Sequence, residues 1–167
     1  FKDNSLIKHQ IESYNDFIDN IIPNILSQYF PLNIDLNDEK ISSIIINISN
    51  IYVEDAICIE GNGCTRIMTP DIARLRNYTY NIPIYIDIII STSIKDNSTD
   101  IILPTKSIKG ILLGRFPLII GSKYCMLTKY PHLSNECKYD LGGYTIINGN
   151  EKVIISQERV ANNIIQV

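Results

Sequence analysis

Tyr144-Thr145-Ile146-Ile147-Asn148-Gly149 is the stretch on which the fold of this chain turns. Asn-Gly after an apolar run predicts a two-residue type I′ turn, because both central residues of that turn need positive φ. The register follows from the turn. Ile147 should face Asn150, Ile146 should face Glu151, and Thr145 should face Lys152. The return strand is expected over residues 151–158. Side chains alternate along such a strand. Val153, Ile155, Gln157 and Arg159 then share one face, and Lys152, Ile154, Ser156 and Glu158 the other. The first face begins apolar and turns polar, as expected where a strand leaves a core.

Working outward from this hairpin, residues 42–53 and 82–94 are rich in Ile and bounded by polar residues, so both read as strands. Residues 101–104 and 107–120 read as further strands, with bends or bulges at Gly110 and Gly114. Cys58-Ile59-Glu60-Gly61-Asn62-Gly63-Cys64 has hairpin chemistry that would let its two thiols face each other. Two separate small thiols are the plainer reading. Thr69 is placed to cap a short helix over residues 70–77, with Pro70 in its first turn. Asp96-Asn97-Ser98-Thr99-Asp100 reads as a turn, lacking the glycine and terminal glutamate of a calcium loop. Residues 31–40 read as a polar loop, and residues 124–139 as irregular or partly helical.

At the other end, Leu6, Ile7, Ile11, Tyr14, Phe17, Ile18, Ile21 and Ile22 recur at three- and four-residue steps. That spacing makes an amphipathic helix with Lys8, Glu12, Asp16 and Asp19 outward. Asp3 or Ser5 would cap it, and Pro23 should end or kink it, with a further turn through Leu26. A helix followed by strands without regular alternation predicts an α+β fold: an N-terminal amphipathic helix and a mostly antiparallel sheet.

The 167 residues suit one domain, 45% hydrophobic and 20% charged, with 36 Ile and 17 Asn. Four Cys without a CxxC element and two isolated His argue against a structural zinc site or a disulfide framework, and the compartment reads as reducing. No apolar run is long enough to span a membrane. Net charge is -3, but residues 1–100 carry 7 Lys and Arg against 14 Asp and Glu, and residues 101–167 carry 8 against 4. The asymmetry is compatible with a solvated surface. No phosphate loop, GxSxG or HExxH is present, so the residues alone offer no catalytic group and no metal ligand set. The chain starts at Phe1 and stops within an apolar run, so it is expected to be a piece of a longer protein.

Residues 114–125 read Gly-Arg-Phe-Pro-Leu-Ile-Ile-Gly-Ser-Lys-Tyr-Cys, and residues 136–159 run from Glu-Cys-Lys-Tyr-Asp-Leu-Gly-Gly to Ser-Gln-Glu-Arg. This resembles the second-largest subunit of multisubunit DNA-directed RNA polymerases, in its eukaryotic, archaeal and large-DNA-virus branch. Residues 73–87 and 6–18 are similar to two further blocks of the family, in the same order. Lys138, Leu141 and Asn150 depart from the usual residues and fit a divergent member.

The resemblance implies the protrusion, the N-terminal domain at the edge of the DNA cleft. In the family the chain then leaves for the lobe and returns later, so residues 1–167 would be the first part of that domain. It implies no catalytic residue here, with the magnesium held by the largest subunit. The implied partners are the other polymerase subunits, chiefly the largest, with DNA and nascent RNA, in the cytoplasm, the nucleus or a virion. Phosphate contacts need Lys and Arg, and Lys106, Lys109, Arg115, Lys123 and Lys152 are candidates. The resemblance puts Gln157 and Arg159 beside the nucleic-acid path. A structural pair, with Arg159 bridging to an acid, is the alternative. Arg74 and Arg76 are expected to pair with Asp71 or Asp87. A self-contained binding domain and an independent enzyme are the competing readings of the whole chain.

Overall fold

The computed structural model describes residues 6–35, 41–96, 99–102, 104–133, 136–137, 139–155 and 157. The chain enters as a helix in three consecutive pieces: α1 (Lys8–Asp16), a π-helical turn (Phe17–Ile21) and α2 (Ile22–Tyr29). Asp3 and Ser5, the expected caps, lie outside the described residues. Pro23 does not end the helix. A proline lacks the N–H that would bond four residues back, and the widened turn sits just where that bond would fall. The helix stops at Phe30, extended at φ -112° and ψ 144°, because Pro31 disfavours a helical residue before it.

The main sheet is antiparallel, as expected of an α+β fold: β1 (Leu32–Asp35), β2 (Ile41–Val53), β5 (Asn81–Asp96), β6 (Thr99–Ile102) and β7 (Lys106–Pro117). Strand β5 pairs along one edge with β2 and along the other with β7 and then β6. It is therefore a central strand. Residues 32–35 form a strand rather than loop, since Leu32 and Ile34 alternate with Asn33 and Asp35 along the open edge of β2. The strand expected to reach residue 120 ends at Pro117. Beyond it Leu118 N–H donates to Tyr80 O and Ile120 N–H to Tyr144 O, so the chain crosses from the sheet to the hairpin.

The bulges fall where the glycines predicted them. Ile84 faces Gly114 while Tyr85 faces Leu112, leaving Leu113 unopposed. Ile86 faces Ile111 and Ile88 faces Ile108, so β7 carries one extra residue, at a point where Gly110 has φ +72°. Two smaller hairpins complete the fold, β3 (Ile57–Ile59) with β4 (Thr65–Ile67), and β8 (Thr145–Ile147) with β9 (Asn150–Lys152). In the first, Cys58 faces Arg66 rather than Cys64; Cys58 is buried, Cys64 exposed, and both are free thiols. In the second, register and turn are as read from Asn-Gly, with Asn148 at φ +50° and Gly149 at φ +76°.

Strand β9 is shorter than expected, ending at Lys152 instead of running to residue 158. The chain facing Val153 turns through Gly142 and Gly143, at φ +77° and +81°, so it offers no extended partner. The proposed strand face of Val153, Ile155, Gln157 and Arg159 does not form over the described residues. Val153, Ile154 and Ile155 are 62%, 69% and 85% exposed, and Gln157 is exposed.

Two short helices, α3 (Pro70–Leu75) and α4 (Met126–Lys129), close the core. Ile72 N–H donates to the Thr69 hydroxyl at 3.4 Å, the N-cap read from sequence. Ile18 and Ile22 of the helix pack with Ile82 and Ile84 of β5, Ala73 of α3, Met126 of α4 and Ile146 of β8. Tyr80 is fully buried among them. Its hydroxyl accepts Met126 N–H at 3.0 Å and lies 3.6 Å from Cys125 Sγ. Tyr80→Phe strands that buried amide, and a loss of about 1–2 kcal/mol is expected in urea unfolding.

Candidate functional site

Helix α3 and hairpin β8–β9 are fastened by one side chain. Arg74 leaves the last turn of α3 and reaches three acceptors: Glu136 Oε1 at 2.6 Å, Glu151 Oε1 at 2.8 Å and the Tyr144 hydroxyl at 2.7 Å. A planar guanidinium can meet several acceptors at fixed angles, which lysine cannot. Burial opposes the Arg74 charge, but the Glu136 hydrogen bond and the neighbouring Tyr144 and Glu151 outweigh it and hold the group firmly protonated. The Tyr144 hydroxyl in turn donates a hydrogen bond to Asp140 Oδ2 at 2.5 Å, and Asp140 Oδ1 accepts Gly142 N–H at 2.9 Å. Burial and the Asp140 bond push the Tyr144 phenol up. Arg76, next along, pairs with Glu60 at 2.7 Å. Ion pairing of both arginines was expected, but not these partners. Asp87, one of the expected acids, instead accepts Gly110 N–H at 2.9 Å and braces the bulge.

The sequence candidates for nucleic-acid contact fall on separate elements. Lys123 is committed within the molecule. Its ammonium meets Asp19 at 2.9 Å and its backbone N–H donates to Asn15 Oδ1, which ties the loop after β7 to the helix. Lys129 likewise meets Asp55. Part of the excess cation of residues 101–167 therefore answers the excess acid of residues 1–100. Arg115 is exposed on β7 and lines a groove beside hairpin β3–β4. Lys152 ends β9 and lines a different, mostly apolar groove of about 600 Å³ between the helix and hairpin β8–β9. Tyr14, Phe17, Phe116, Pro117 and Val153 line that groove too, and Gln10 Nε2 donates to Ile154 O at 2.7 Å across it. Gln157 is exposed beyond it, and Arg159 lies outside the described residues. Lys106 and Lys109 are exposed on β7.

Sequence reasoning missed the Asp19 cluster. Asp19 accepts from the Tyr124 hydroxyl and from Lys123, and these hold its carboxyl below the usual range. Helical periodicity marked Asp19 only as outward. A carboxyl whose native pKa is depressed stabilises fully above its unfolded value, and the benefit is lost as pH falls through the native one. The melting temperature should therefore fall as pH drops below ~4, and Asp19→Asn should flatten that decline while lowering the plateau near neutral pH. Melting scans across this range check both.

Among the described residues no group of three or more His, Cys, Asp or Glu is arranged to hold a metal ion, and no helix is long and apolar enough to cross a membrane. Cys125 is a buried free thiol and Cys137 an exposed one.

An antiparallel sheet, an N-terminal helix packed on it, and a short helix α3 pinned to a glycine-bounded hairpin by Arg74 make up an α+β module. The chain belongs to the RNA polymerase beta subunit family, whose model matches residues 5–167. It is 34% identical to DNA-directed RNA polymerase II subunit RPB2 of Meyerozyma guilliermondii, over 100% of this chain and 15% of the relative. It is 34% identical to DNA-directed RNA polymerase subunit Rpo2N of Methanocaldococcus jannaschii, over 98% of this chain and 32% of the relative. It is 32% identical to a probable RPB2 homolog of Invertebrate iridescent virus 3, over 98% of this chain and 14% of the relative. The chain thus spans about 15% of the eukaryotic relative and about a third of the archaeal one.

Proposed function

We propose that this chain is a noncatalytic segment of the second-largest subunit of a DNA-directed RNA polymerase, and that it forms the first part of the protrusion at the edge of the DNA cleft. The family match across residues 5–167 carries the proposal. Its partners are the other subunits, chiefly the largest, with DNA and nascent RNA, and it works inside the cell, in the nucleus if the polymerase is nuclear. The described residues offer no ligand set for magnesium. The ion is assigned to the largest subunit.

Two features support an incomplete domain. The apolar groove between the helix and hairpin β8–β9 is open, and Val153, Ile154 and Ile155 beside it face solvent. A returning segment of the same subunit would cover them. Lys152 ends the hairpin, Gln157 and Arg159 follow it in sequence, and all three are assigned to the nucleic-acid path.

The full-length subunit should co-purify with the largest subunit and support templated RNA synthesis, while residues 1–167 alone should make no RNA. Synthesis by the isolated chain would overturn the noncatalytic assignment. In the assembled enzyme, Arg159→Ala should weaken transcript retention most at low salt. It should reduce the slope of log affinity against log salt by ~1, as loss of one phosphate contact requires. A change in assembly yield with an unchanged salt slope would make Arg159 a structural residue.

A further inference from the structure

Arg115 differs from Arg74, Arg76, Lys123 and Lys129, each of which is ion-paired. Its side chain makes no hydrogen bond or ion pair with any described residue. It faces Pro83 across the β5–β7 ladder, so it projects from the sheet face that carries Pro83 and Tyr85. Hairpin β3–β4 walls this face. Between them lies a groove of about 350 Å³ whose lining includes Ile57, Ile59, Met68, Tyr78, Tyr85 and Arg115, and no carboxylate. Its hairpin wall is apolar and open to solvent, with Ile57 and Ile59 at 44% and 64% exposed.

We propose that this groove docks a polypeptide segment of another subunit or factor, one that presents a carboxylate next to an aliphatic side chain. The carboxylate meets Arg115, and the aliphatic group packs on Ile57 and Ile59. An unpaired guanidinium flanked by tyrosines and aliphatic residues is the composition that concentrates binding energy at protein interfaces. Charge complementarity selects an acidic partner, since the groove offers one cation and no anion. A nucleic acid fits less well. Phosphate tracks need several cations, and the lining of this groove holds one, Arg115. Arg115 is thereby separated from the nucleic-acid path assigned above to Lys152, Gln157 and Arg159.

The test uses the full-length subunit in the assembled polymerase, with a photo-crosslinking phenylalanine analogue in place of Ile59. Crosslinks should map to one segment of another chain, with Asp or Glu within a few residues of Leu, Ile or Val. Arg115→Glu should cut the crosslink yield by about tenfold or more, and Arg115→Lys should retain most of it. Reversing the mapped acid to Lys should restore the yield in the Arg115→Glu background. Arg115→Gln serves if the charge reversal fails to assemble. Co-purification of the largest subunit, read in the same preparations, scores the polymerase assignment separately. Within assembled enzyme, crosslinks to DNA or RNA, to a second copy of this chain or to a segment without an acid would overturn the docking proposal. So would no crosslink at all, or a yield indifferent to Arg115→Glu.

Discussion

Gly142→Ala should cost about 3–5 kcal/mol, a large part of the ~5–15 kcal/mol that holds a domain of this size together. Gly142 sits at φ +77°, where a side chain is strained, and an added Cβ would run into the Ile120 carbonyl, 3.0 Å from its carbon. That carbonyl accepts Gly143 N–H at 2.8 Å, and Ile120 N–H donates to Tyr144 O at 2.8 Å. Both bonds join the segment after β7 to the hairpin, and neither survives if the backbones separate. No flexible side chain is available to move aside, because the obstacle is main chain. Gly61→Ala is the control, with open space around the new Cβ and no positive φ, and should stay within about 0.5 kcal/mol. Denaturant unfolding of the two variants checks the contrast. Equal stabilities would show that the Gly142 turn is not needed for the fold.

Arg74→Ala should cost about 2–4 kcal/mol, and Arg74→Lys most of that. The guanidinium side chain is 25% exposed and Glu136 15%, so this pair is less screened than a surface bridge. Alanine removes the cation from beside a largely buried carboxylate, and it removes the bonds to Glu151 and Tyr144 together. Lysine keeps the charge but cannot reach three acceptors from one rigid plane. A cycle with Glu136→Gln should return a coupling of about 1–2 kcal/mol. Additive losses would mean that the two residues stabilise the fold separately. Because Arg74 ties Glu151 of β9 to helix α3, the variants should also expose the chain near Lys152 to proteolysis before the sheet unfolds.

The elements that local chemistry specifies were legible without coordinates. Asn148-Gly149 admits one common turn, and that turn sets the register of Ile146 against Glu151. Thr69 before Pro70 marks a helix start by supplying an acceptor where an N–H has none. Gly110 and Gly114 mark bulges because a residue out of register often needs a backbone other residues avoid. The family blocks were legible for a related reason, since they concentrate such glycines and turns.

What tertiary structure alone decided concerns partners distant in sequence. Nothing near Arg74 in the chain indicates that Glu136 and Glu151 will converge on it, because helix α3 and the hairpin meet only after Leu118, Ile120 and Ile146 have packed. The same holds for Lys123, read from charge as a phosphate contact and found on Asp19 across 104 residues. Strand β9 stops at Lys152 because its opposite chain turns away at Gly142 and Gly143, and the helix passes Pro23 because a π turn absorbs the missing N–H. Turn, cap and bulge residues act over a few bonds and so are written in order along the chain. Ion pairs and strand ends depend on which surfaces the core brings together, and that is settled only when the apolar residues of all the elements pack at once.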